Sequence, residues 1–75
     1  MLIDKDTSPK DTIFYLSAIL LEKFKELKRI EVNSLDDVFF EMAPTQPSFK
    51  LYLSLNFLFL LDKIKLDGGD LVYVP

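Results

Sequence analysis

The chain has 75 residues, a formal net charge of −3, no histidine, no cysteine and no tryptophan, and 49% of its residues are apolar. Those absences exclude Ser/His and Cys/His nucleophiles, the commonest transition-metal ligands and a disulfide framework, which leaves an enzyme the least favoured class. A single domain spanning residues 1–75 buries only about 60% of its unfolded surface, so a mean hydropathy of +0.19 is an excess that predicts a surface covered by another molecule.

The first ten residues, MLIDKDTSPK, mix acids with bases and lack an apolar core, so no secretory signal is expected. The apolar runs at 13–21 and 49–61 fall short of the ~20 residues that span a bilayer as a helix. The cytoplasm is the expected location, with no membrane partner.

Ser8-Pro9-Lys10-Asp11 combines an N-cap serine, proline at the first helical position and a carboxylate at the third. A helix is predicted from Pro9 to about Arg29. Ile13, Leu16, Leu20, Phe24 and Leu27 form its core stripe, widened by Phe14, Ala18 and Leu21. Its second half carries Glu22, Lys23, Lys25, Glu26, Lys28 and Arg29 and is a solvated, basic end that suits the helix dipole.

Ser34-Leu35-Asp36-Asp37 repeats the capping logic and opens a helix over Leu35 to Ala43, with Leu35, Val38, Phe39 and Met42 on one face. The third segment, Phe49 to Leu61, is ambiguous. Its apolar residues at odd positions have the period of a strand, whereas its leucine content and lack of Val, Ile and Thr favour a helix. Helix is the expectation, with strand the alternative. On a helix Lys50 and Ser54 share one narrow polar edge and Tyr52 and Asn56 another, with no obvious wet face between them. A helix apolar all round must be covered all round, and so small a chain has little mass to wrap it.

Lys63 to Leu66 and Leu71 to Val74 flank Asp67-Gly68-Gly69-Asp70, which predicts a two-stranded hairpin. The fold class is therefore α+β, mostly α: three helices followed by a C-terminal β-hairpin, the chain order of a winged-helix-like domain.

The opening MLIDKDTSPKDTIFYLSAILLEKFKE and the closing LNFLFLLDKIKLDGGDLVYVP, together with the length, resemble the middle component 6 family of prokaryotic ABC-three-component systems. The resemblance covers nearly the whole chain. These are conflict systems related to Lamassu-type antiphage defence, in which a small middle component is encoded with a large SMC-like ABC ATPase and an effector protein. The resemblance implies a non-enzymatic accessory subunit that binds the ATPase or bridges it to the effector. It carries no catalytic motif and implies no cofactor.

Asp67 and Asp70 could be imagined around a divalent cation, but a calcium loop needs more ligands at fixed spacing, so turn chemistry is preferred and no metal site is expected. Asp4 and Asp6 form an isolated pair of acids, and Asp36, Asp37 and Glu41 suit the positive end of the second helix. For nucleic acid, the third segment offers Leu and Phe where a groove-reading helix carries Arg, Asn or Gln. The pI of about 4.7 also argues against it. Lys50, Lys63 and Lys65 are the candidate phosphate contacts, and direct DNA binding by a small winged-helix regulator is the alternative function. The candidate protein-interface residues are the aromatics Phe40, Phe49, Tyr52, Phe57, Phe59 and Tyr73, since a small core cannot use every Phe and Tyr present. A self-associating homodimeric module would explain the same surplus.

Overall fold

The computed structural model describes residues 12–75. The expected capping box at Ser8 to Asp11 and the pair Asp4 and Asp6 lie outside the described residues. Thr12 caps the first helix instead: its backbone is extended and its hydroxyl accepts from the Tyr15 N–H at 3.1 Å, which satisfies one of the orphan donors of the first turn. The helix, α1, covers Ile13–Leu27 and buries Leu16, Ser17, Leu20 and Phe24. The predicted stripe is thus confirmed at its centre and fails at its end, where Leu27 is exposed.

The reason is the next residue. Lys28 has a φ of +70°, which breaks the helix two residues before the predicted end, and Arg29–Glu31 form a strand, β1. A single 3₁₀ turn at Val32–Ser34 then leads into α2, Leu35–Met42. Ser34 does not cap this helix through its side chain, contrary to expectation, because the preceding turn already holds it in a helical conformation. Leu35, Phe39 and Ala43 are buried, with Val38 and Met42 packed against them.

Phe49–Leu60 is a helix, α3, which resolves the ambiguity against strand. It ends in a C-terminal motif with two bonds: the Lys63 N–H donates to the Leu58 carbonyl and the Asp62 N–H to the Phe59 carbonyl, both at 3.0 Å. Asp62 takes a φ of +56°, the left-handed residue that this Schellman arrangement requires.

The strands β2, Ile64–Asp67, and β3, Asp70–Tyr73, form the predicted hairpin, each with the neighbouring aspartate included. Gly68 has a φ of +62° and is the only glycine with a positive value, the signature of a type II′ turn with glycine at its first central position. The sheet has three strands rather than the expected two, in the order β1-β3-β2, all antiparallel. Ile30 lies opposite Leu71, and both are buried, as is Ile64 on the same sheet face. One cluster of these residues with Leu16, Leu20, Phe24, Leu51, Leu55 and Leu58 forms the core.

Arg29 explains the fate of the hairpin acids. Asp67 and Asp70 lie directly opposite each other across the turn, a like-charge pair that opposes pairing. The Arg29 guanidinium donates from Nε to Asp70 at 2.8 Å and from Nη2 to Asp67 at 3.2 Å. One cation from β1 therefore bridges both acids, offsetting their mutual repulsion, and joins the first strand to the hairpin.

Candidate functional site

Helix α3 meets α1 through an unusual pair. Ser17 and Ser54 are both fully buried, and the Ser17 hydroxyl donates to the Ser54 carbonyl at 3.5 Å. Ser54 donates back along its own helix to the Lys50 carbonyl at 2.8 Å. Two small residues at a helix crossing let the backbones approach, and Leu51, Leu55 and Leu58 fill the space on either side. The edge of α3 expected to be polar is thus partly turned inward: Ser54 is buried, and the half-buried Lys50 ammonium donates to Gln46 Oε1 at 3.0 Å.

With Leu51, Ser54, Leu55 and Leu58 facing in, a second apolar side of the helix faces out. Phe49, Tyr52, Leu53, Phe59 and Leu60 are exposed, Leu60 to 83% of its surface. They recur at helical spacings of three and four and share one face with a single polar residue, the exposed Asn56. The face holds no charge from Phe49 to Leu60. At its edge toward α1, the half-buried Phe57 ring lies 6.1 Å from that of Phe14, tilted by 59°, a favourable aromatic geometry.

Among the aromatics selected from the sequence, the structure therefore gathers Phe49, Tyr52 and Phe59 on one face and sets Phe57 at its rim. Phe40 stands apart, exposed on α2 among Asp36, Asp37 and Glu41. Tyr73 is packed against the core from β3, with the Lys28 ammonium 5.7 Å from its ring centre, within the range of a cation–π contact. Leu53, Asn56, Leu60 and Phe14 were not selected. The spacing 49, 53, 56, 60 already contained the first three, but only once the outward side of the helix is known.

The lysines do not converge. Lys50 lies in the first turn of α3, Lys63 lies beyond the C-terminal end of that helix, and Lys65 is exposed on the sheet. Lys23 and Lys25 are within ion-pair distance of Glu26 and Glu22. No group of three or more acidic side chains that could hold a metal occurs among the described residues, and no helix among them is long and apolar enough to cross a membrane.

Residues 3–74 match the family model described as ABC-three component (ABC-3C) system Middle Component 6. Comparison with curated proteins and with solved structures gives no match.

Proposed function

The chain belongs to the Middle Component 6 family of ABC-three-component systems, and on that premise we propose that it is a non-enzymatic accessory subunit that binds an SMC-like ABC ATPase or bridges it to the effector of the same antiphage system. As a middle component it is one part of a multi-component system, so protein partners belong to its role. The observation that carries the reading is the surplus of exposed apolar surface, on the outer face of α3 and at Phe40 of α2.

The element order, with β1 added to the hairpin as β1-β3-β2, supports treating residues 1–75 as a single winged-helix-like domain. In that fold α3 occupies the position from which DNA-binding relatives read the major groove. Base reading needs hydrogen-bonding or cationic side chains, and here the face offers Asn56 among Phe, Tyr and Leu. Burying that face in water-free contact with protein is favourable, whereas laying it against phosphates is not. The recognition position is therefore given over to protein contact. Phe40 on α2 supplies a separate aromatic anchor of the kind that dominates interface energies. A cytoplasmic setting fits both the partner and the absence of cysteine.

Co-expression of the full chain with the SMC-like ATPase encoded beside it should yield a complex that survives purification. A chain that elutes without the ATPase under all conditions would overturn this assignment. Titration with labelled duplex at low salt should show no salt-dependent binding by the chain alone.

A further inference from the structure

We propose that the outer face of α3 is covered by the same face of a second copy of this chain, about a twofold axis passing beside Asn56. This goes beyond the accessory-subunit reading, because it names what occupies the face and leaves Phe40 on α2 for the other components.

The first argument is charge. A chain of net charge −3 repels its own copies, and α3 presents an uncharged face on which two copies meet without opposing like charges. The second is the chemistry of the lone polar residue. In a twofold interface a residue beside the axis meets itself. Lys, Arg, Asp or Glu there would face its own charge, whereas a carboxamide carries both donors and acceptors, so two Asn56 side chains satisfy each other. A single buried Asn is also the device by which paired helices fix their register. With the helices antiparallel about Asn56, Tyr52 and Leu53 of one copy lie opposite Leu60 and Phe59 of the other.

The third argument is area. At about 150–250 Å² for a whole aromatic side chain, the five exposed apolar residues of the face amount to on the order of 500 Å². That is already near the upper end of the roughly 300–600 Å² patches of monomeric proteins. Phe14, 73% exposed beside Phe57, and Leu61 at the end of the helix widen it. A twofold pairing uses the patch twice, giving more than the roughly 1,000 Å² total that a specific interface needs.

Sedimentation equilibrium of the full chain from micromolar to near-millimolar concentration tests this. The wild type should dimerise. Asn56→Asp and Asn56→Lys, both at an exposed position that leaves the fold intact by circular dichroism, should each raise the dimer Kd by more than about tenfold, since each sets like charges face to face. An equimolar mixture of the two variants should restore association as a heterodimer. A wild type that stays monomeric throughout overturns the proposal, as does a mixture that associates no better than either variant alone. If the monomer nevertheless co-purifies with the ATPase, the pairing falls and the accessory-subunit reading stands; a dimer that ignores the ATPase gives the reverse.

Discussion

Ser54 decides which way α3 faces, and its replacement gives a direct measure of why. Two substitutions separate the size of the side chain from its hydroxyl. Ser54→Ala removes a hydroxyl whose hydrogen bond goes to the Lys50 carbonyl. A net contribution of about 1 kcal/mol is lost with it, and a helix-propensity gain of roughly 0.5 kcal/mol offsets much of that. Lys50 keeps its place in the helix ladder, so no buried acceptor is stranded. The expected change is within about 0.5 kcal/mol of zero. Ser54→Leu places additional carbon atoms at a position of 0% exposure against Ser17 of α1. Overpacking of that kind costs about 1–3 kcal/mol, and here the crossing helices must move apart to admit it. A domain of this length has a total stability of about 4–11 kcal/mol, so the leucine variant should melt roughly 4–20 °C lower while the alanine variant melts close to wild type. Urea denaturation followed by circular dichroism measures both. An alanine variant destabilised by more than about 2 kcal/mol would show that the hydroxyl itself holds the crossing, and a leucine variant of unchanged stability would refute the close approach of α1 and α3.

Four further perturbations test the elements that frame this helix. Phe24→Ala empties the largest fully buried side chain and should cost about 3–5 kcal/mol, seen as a large drop in the urea midpoint. Arg29→Met removes the clamp on Asp67 and Asp70; because the groups are largely exposed, the loss should be no more than about 1 kcal/mol, and it should shrink when melting is repeated in high salt. At the end of α3, Asp62→Gly relieves a φ of +56° and should raise stability by up to about 1 kcal/mol, whereas Gly68→Ala, at φ +62° with open space around the new methyl, should lower it by about 1 kcal/mol through backbone strain alone.

Local chemistry made most of the fold legible. The stripe Leu16, Leu20, Phe24 and the set Leu35, Val38, Phe39 follow from helical spacing, and Asp67-Gly68-Gly69-Asp70 announces a hairpin because glycine alone adopts its turn without strain. The family could likewise be recognised from the two ends of the chain, since residues 3–74 carry its pattern. Three features were not legible. Strand β1 is three residues long, two of them charged, too short for alternation to show, and it exists only because β3 offers an open edge. The Arg29 clamp joins residues 38 and 41 positions apart, a distance that no local signal spans. The facing of α3 was hidden for a different reason: a helix apolar on nearly every side has no preferred inward stripe. Its own residues favour a helix over a strand and carry more apolar surface than the chain can cover. Only packing against α1, where the buried Ser17 and Ser54 meet, decides that Phe49, Tyr52, Leu53, Asn56, Phe59 and Leu60 are the residues left outside.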